Sequence, residues 1–197
     1  MMQSFWADLL TKDKALFSMI NGEWTCSFFD KIMPWVRTSN NWFPLYILLL
    51  GFIIYKWKKN AWKWILLAAI NVTLTDQISS SIFKPLFQRV RPCLDPVLMH
   101  KSRLLLEHCS GGFSFTSSHA ANHFGIALFI IITLQPLFKN YRFIFLIWAA
   151  VIAYAQVYVG VHYPLDILGG TIIGILVGYY NGKLFKYWQN KNLAVVQ

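Results

Sequence analysis

Phe115-Thr-Ser-Ser-His-Ala-Ala-Asn-His-Phe-Gly-Ile-Ala-Leu-Phe-Ile-Ile-Ile-Thr-Leu-Gln-Pro-Leu-Phe138 opens on a polar cluster and continues as an almost purely apolar run. Crossing ~30 Å of hydrocarbon takes about 20 such residues. Residues 120–138 meet that requirement, and so do 61–83, 141–161 and 164–187. A fifth stretch, 42–57, is shorter and contains Pro44. Its Trp42, Tyr55 and Trp57 suit the headgroup level, where Lys56 and Lys58 can snorkel. Upstream, 4–19 and 24–36 are apolar on one side only, interrupted by Asp8, Lys12, Asp13, Lys14, Asp30 and Lys31, and read as helices lying on the membrane surface. The expected fold is all-α: an integral membrane helical bundle of about five transmembrane helices, with amphipathic interfacial helices at the N-terminus. The division is an interfacial segment over 1–40 and a membrane-embedded domain over 41–197.

Composition agrees with a lipid solvent. Of the 197 residues, 56% are hydrophobic and only 13% charged, where a soluble domain carries roughly a quarter. The net charge of +10 raises the question of nucleic acid. The basic residues, however, fall in short clusters between apolar runs and form no stripe, so no nucleic-acid partner is expected. Met1 to Leu10 lack a basic n-region and Asp8 interrupts them, so no secretory signal is expected there.

Charge asymmetry sets an orientation. Lys56, Lys58, Lys59, Lys63, Lys139, Arg142, Lys183, Lys186 and Lys191 all fall on one side of a five-span arrangement, without a carboxylate. That side is expected to be cytoplasmic. The 84–118 loop and the 161–164 turn then share the outer face. Gly170, Gly174, Gly178 and Gly182 recur every four residues and line one face of the last span, which suits close helix packing; a homodimer contact is the alternative. Cys93 and Cys109 both lie in the outer loop, where a disulfide and two free thiols are both open. No CxxC or similar ligand spacing is present, so no metal is expected. His119 and His123, one helical turn apart, lack the third ligand that a zinc site needs. Asp76, inside the second span, is expected to face a partner within the bundle.

Three polar groups sit where membrane meets outer solution. Lys84 and Arg91-Pro92 end the second span; both can anchor an interface, and together they can hold a phosphate dianion. Thr116-Ser117-Ser118-His119 precedes the third span. Its hydroxyls suit helix capping, and the helix start offers unpaired N–H groups to an anion. His162-Tyr-Pro-Leu-Asp166 begins the last span. Pro164 suits the first helical position, leaving His162 just outside and Asp166 in the first turn, from where a carboxylate can fix one imidazole nitrogen and sharpen the other.

In this order the three groups resemble the type 2 phosphatidic acid phosphatase family of membrane phosphatases, whose fold also occurs in soluble vanadium haloperoxidases. The family pattern is Lys, six residues, Arg-Pro; then Pro-Ser-Gly-His; then Ser-Arg, five residues, His, three residues, Asp. Lys84, Arg91 and Pro92 match the first. Ser117 and His119 match the second, with Thr116 for Pro and Ser118 for Gly. His162 and Asp166 match the third, with Ala155 and Gln156 where Ser-Arg is expected. The resemblance covers roughly 61–187. It implies that His162 attacks phosphorus, Asp166 orients it and His119 protonates the leaving oxygen. Lys84, Arg91, Ser117, Ser118 and the residue at 156 would hold the phosphoryl oxygens, with no cofactor.

The implied activity is hydrolysis of a lipid phosphate or diphosphate at the outer face of a bacterial inner membrane. Undecaprenyl diphosphate ranks slightly ahead of phosphatidylglycerol phosphate, phosphatidic acid and lipid A phosphates. Gln156 departs from the pattern, and a missing charge-assisted hydrogen bond is worth ~1.5–3 kcal/mol. Arg89 and Arg103 are the candidates to replace it. A phosphotransferase using the same histidine, and a lipid binder without turnover, are the alternatives.

Overall fold

The structure, a computed structural model, describes residues 2–194, and among these the chain is helical with no strand. Helix α1 (Met2–Ser18) ends in a wide turn, Met19–Glu23, and leads to α2 (Ser27–Arg37). Helices α3 (Phe43–Trp57) and α4 (Ala61–Gln77) form a hairpin that reverses at Lys58, whose φ of 47° is left-handed. Helix α4 continues without a break through the wide-turned segment Ile78–Phe83 into the short α5 (Lys84–Phe87). A mostly irregular connection then reaches α6 (Ser118–Thr133), followed by the short α7 (Gln135–Phe138), α8 (Ile144–Tyr158) and α9 (Pro164–Ala194).

The expected run over 120–138 is two pieces, not one. Helix α6 stops at Leu134 (φ −100°, ψ 8°). Pro136 in the first turn of α7 lacks the N–H that would continue the α6 ladder onto the Ile132 carbonyl, so the chain bends there. At its other end α6 is capped by Ser117, whose hydroxyl accepts from the Ala120 N–H at 3.4 Å. By length and composition, two helical stretches among the described residues suffice to cross a bilayer: Ser39–Leu94, which holds the α3–α4 hairpin, and Lys139–Tyr158. Helix α6 is apolar but only 16 residues long.

Helices α6 and α9 form the centre of the bundle, with α4 and α8 packed on α6. The glycine face of α9 makes this approach possible. A Cβ on Gly174 would strike the Ala121 carbonyl oxygen and come within 2.8 Å of the Gly125 nitrogen; one on Gly178 would strike the Gly125 carbonyl. Gly170 and Gly182 face Ser117 and Ile132 of the same neighbour. The face is therefore filled within the chain, as expected for close helix packing.

Two apolar clusters flank this backbone contact. One, at the end where α6 and α9 begin, joins Phe17, Ile20, Met33 and Val36 of the N-terminal segment to Ile152, Tyr158, Val161 and Tyr163. The other joins Ile53, Trp64 and Leu67 to Phe129, Leu134 and Phe185. The segment 2–40 thus contributes to the core as well as to the surface. Outward-facing Ile47, Leu48, Ile144, Ile147 and Leu176 are each more than half exposed, an apolar exterior suited to lipid contact. Cys93 and Cys109 are joined as a disulfide in the long connection, while Cys26 is free and exposed.

Packing at Gly174 and at Gly51 provides a paired test. Gly174→Leu should lower stability by about 1–3 kcal/mol through overpacking, seen as an earlier thermal unfolding midpoint in detergent. Gly51→Ala, with open space around the new methyl, should raise the midpoint slightly, since alanine is the better helix former by about 1 kcal/mol.

Candidate active site

The start of α9 and the two connections that reach it bring the sequence-predicted groups together. Asp166, in the first turn of α9, is fully buried. One of its oxygens, Oδ2, accepts from the Tyr163 backbone N–H at 2.8 Å and from the Ser114 hydroxyl, and faces His162 Nδ1 at 3.3 Å. The other, Oδ1, accepts from Arg89 at 2.8 Å. Pro164 explains why the first turn is free for this. The residues around the helix start have no intrahelical acceptor, so their N–H groups turn to the carboxylate.

His162 is held from both sides. Its Nε2 lies 3.2 Å from Arg91 Nη1, and a guanidinium can only donate. Nε2 is therefore the acceptor, and the ring proton sits on Nδ1, facing Asp166. The unprotonated nitrogen points at a cation. Burial pulls His162 down to about 4, against the upward pull of Asp166. Arg91 is itself fixed by carbonyls: Nε donates to Gly112 at 3.1 Å, Nη2 to Gly111 at 3.1 Å and Nη1 to Val161 at 3.0 Å. It has no carboxylate partner among the described residues.

His119 lies in the first turn of α6, within electrostatic reach of His162, Lys84 and Arg37. Its backbone carbonyl accepts from His123 Nδ1 at 2.8 Å, and the Tyr46 hydroxyl stands 3.4 Å from His123 Nε2. His123 is thus tied into the bundle. Lys84 senses the charges of Arg91, Asp76 and Asp166 and forms no ion pair among the described residues.

Ser117 and Ser118 are more occupied than their motif implies. The Ser117 N–H donates to the Asp166 backbone carbonyl at 3.0 Å, which ties the α6 start to α9. The Ser118 hydroxyl meets Ser79 at 3.0 Å, and Ser79 also bonds Thr116. What remains for an anion are the N–H groups of Ser118 and His119, at the open end of the α6 dipole. Gln156, fully buried on α8, presents Oε1 to Arg37 Nε at 3.2 Å.

Neither loop arginine supplies the charge missing at position 156. Arg89 is clamped between Asp166 and Asp13 and lies 3.9 Å from the Tyr163 ring centroid. Arg103 pairs with Asp30 at 2.5 Å and donates to the Asn21 carbonyl at 3.3 Å. Its hydrogen bond holds the Asp30 carboxyl below the usual carboxylate range. Both are spent on structure. Sequence reasoning missed Asp13, Ser114 and Arg37. Asp13 joins α1 to the site through Arg89 and through the Leu165 N–H, which donates to it at 2.8 Å.

Comparison with known proteins places this geometry in context. Residues 64–193 match the family model described as the PAP2 superfamily. The chain is 32% identical over 205 residues to a lipid A 4'-phosphatase of Bacteroides thetaiotaomicron, covering 100% of this chain and 84% of that one. It is 29% identical over 189 residues to a lipid A 4'-phosphatase of Porphyromonas gingivalis, covering 94% of this chain and 78% of that one. Its fold resembles the crystal structure of the PAP2 type phosphatidylglycerolphosphate phosphatase from Bacillus subtilis, with a TM-score of 0.68 and 21% identity over 93% of this chain and 87% of that one.

Removing the Asp13 carboxylate, only 1% exposed, leaves Arg89 and the Leu165 N–H each short of an acceptor. Asp13→Ala should therefore cost on the order of 3 kcal/mol of stability. Thermal unfolding in detergent reads this directly; an unmoved midpoint would mean that α1 does not secure this end of the bundle.

Proposed function

The chain belongs to the PAP2 superfamily and is a membrane lipid phosphatase, and on that premise we propose that it removes phosphate from a lipid A-type saccharolipid through a phosphohistidine intermediate. Alone, the sequence ranked polyprenyl diphosphate slightly ahead. The two lipid A 4'-phosphatases that match nearly the whole chain favour a phosphomonoester on a glycolipid instead.

The observation that carries the mechanism is His162, with Nε2 unprotonated against Arg91 and Nδ1 turned to Asp166. In the first step the Nε2 lone pair forms a bond to phosphorus while the bond to the lipid oxygen breaks. That oxygen leaves with a proton from His119. Asp166 steadies the imidazole as it becomes cationic. In the second step water attacks the phosphohistidine, gives a proton to His119 and releases phosphate. Lys84, Arg91, the free Gln156 amide and the Ser118 and His119 N–H groups hold the equatorial oxygens, where charge shifts in the transition state.

The same reading has five membrane crossings, with the site on the outer face of a bacterial inner membrane. The Cys93–Cys109 disulfide lies in the connection that carries Arg91, and disulfides persist in oxidising compartments. The lysine clusters at 56–63 and 183–191 lie toward the opposite helix ends, as the positive-inside rule requires. Residues 2–40 then lie at the outer interface, capping the site.

Purified protein in detergent with EDTA should release phosphate from lipid A, and His162→Ala should reduce this by at least about a thousandfold. Rapid acid-free quenching should trap phosphate on wild-type protein but not on the variant. Absence of release from lipid A, undecaprenyl diphosphate, phosphatidylglycerol phosphate and phosphatidic acid alike would refute the hydrolase reading. The pH profile is a separate check. The nucleophile His162 must be neutral and burial holds it down to about 4, while the donor His119 must be protonated and burial with its charged neighbours holds it down to about 3. kcat/KM should therefore show no acid limb near 6.5 and should fall as pH rises toward neutrality. An acid limb near 6.5 would mean that the His162 nitrogen is not buried in the free enzyme.

A further inference from the structure

We propose that Arg37, at the end of α2, is a phosphate-binding residue of this site, held in place by Gln156 and supplying the cation that α8 lacks. The inference rests on the hydrolase reading above and adds a residue from the N-terminal segment to its machinery.

The first observation is the polarity of the contact. Arg37 Nε donates to Gln156 Oε1 at 3.2 Å, and since a guanidinium carries donors only, the amide orientation is fixed. Gln156 Nε2 must then point elsewhere. It is fully buried and has no hydrogen-bond partner. A buried donor without an acceptor is costly and calls for an explanation. A phosphoryl oxygen bound beside Arg37 would supply one.

The second is the distribution of counter-ions. Arg89 has two carboxylates and Arg103 has one. Among the described residues Arg37 has none, although its side chain is part-buried between α2 and α8. Lys84 and Arg91 share this condition. Four carboxylates near the site, Asp13, Asp30, Asp95 and Asp166, are all committed to other donors. Arg37, Lys84 and Arg91 are left without a direct ion pair among the described residues.

The third is position. The charge of Arg37 acts on Arg91, which touches His162, and on His119. Arg37, Arg91 and Lys84 therefore bring three positive charges around the two histidines, against the nearby carboxylates of Asp166 and Asp76. Their mutual repulsion is relieved when a dianion enters, so the arrangement favours a phosphate over any neutral headgroup. Arg37 reaches the site because Met33 and Val36, one turn and one residue before it, are buried against α8. In this arrangement Nε is spent on Gln156, while the two terminal nitrogens and Gln156 Nε2 are left for the ligand. That gives a forked donor set for two phosphoryl oxygens.

The test uses the full chain in detergent, with lipid A phosphate release and competitive inhibition by orthovanadate as separate readouts. Arg37→Ala should lower kcat/KM by about ten- to a hundredfold and weaken vanadate to a similar degree, with the thermal midpoint nearly unchanged. Arg37→Lys should recover part of both. Adding Gln156→Arg to Arg37→Ala should restore at least about tenfold, because a guanidinium on α8 replaces the lost one; a purely structural contact would not be rescued in this way. The proposal is overturned if Arg37→Ala stays within about threefold of wild type while His162→Ala is inactive. Should Arg37→Ala unfold, Arg37→Lys decides, a normal vanadate constant together with normal turnover counting against a ligand role. If His162→Ala itself turns over, the hydrolase mechanism fails, and vanadate affinity still reports whether Arg37 binds the anion.

Discussion

A fully buried carboxylate, Asp166, is the constraint around which the rest of the site is arranged. Removing an ionised carboxylate from water is tolerable only when donors and counter-charge replace the lost hydration. Those donors come from two regions distant in sequence, the long connection at both of its ends and the turn before α9. The turn before α9 gives the Tyr163 N–H and the His162 ring, the long connection gives Ser114, and Arg89 gives the counter-charge. Arg89 needs a second carboxylate, and Asp13 provides it from α1. Satisfying one group thus drags an N-terminal helix onto the catalytic end of the bundle.

This chain of dependence separates the cations into two kinds. Arg89 and Arg103 are neutralised by carboxylates and stacked near tyrosine rings; they are framework. Arg91 is fixed by three backbone carbonyls instead, which orient a guanidinium without cancelling its charge. Carbonyl anchoring is what a binding site for an anion requires, since a carboxylate in the same place would compete with the ligand. Arg37 meets the same condition through a neutral amide.

Much of this was legible in the sequence, and the part that was not has a common cause. His162 and Asp166 are four residues apart across Pro164, so local geometry alone brings them together, and Lys84 with Arg91 follows from proximity to a helix end. The glycine spacing predicted a close-packed face, and α6 fills it. Arg37 and Gln156 are 119 residues apart, and Asp13 and Arg89 are 76 apart; no periodicity links either pair. Asp13 sits between two lysines on an amphipathic helix, where a solvated charge is the natural reading. Arg89 and Arg103 looked available because their distant partners were invisible. The break at Leu134 was hidden because hydropathy does not register the backbone effect of Pro136.

The glycine face also bears on chemistry. The two histidines stand on different helices, His119 just inside the start of α6 and His162 just before the start of α9. Their relative position is only as well defined as the α6–α9 contact. Side chains between two helices leave rotameric freedom in their spacing, whereas Gly170, Gly174 and Gly178 put backbone against backbone, and the Ser117 N–H to Asp166 carbonyl bond pins the two helix starts directly. In the proposed reaction a nucleophile and a proton donor act on opposite sides of one phosphorus atom, where small misplacements are costly in rate. Flat, glycine-rich packing at the core of this bundle is therefore as much a condition of the proposed in-line transfer as the histidines themselves.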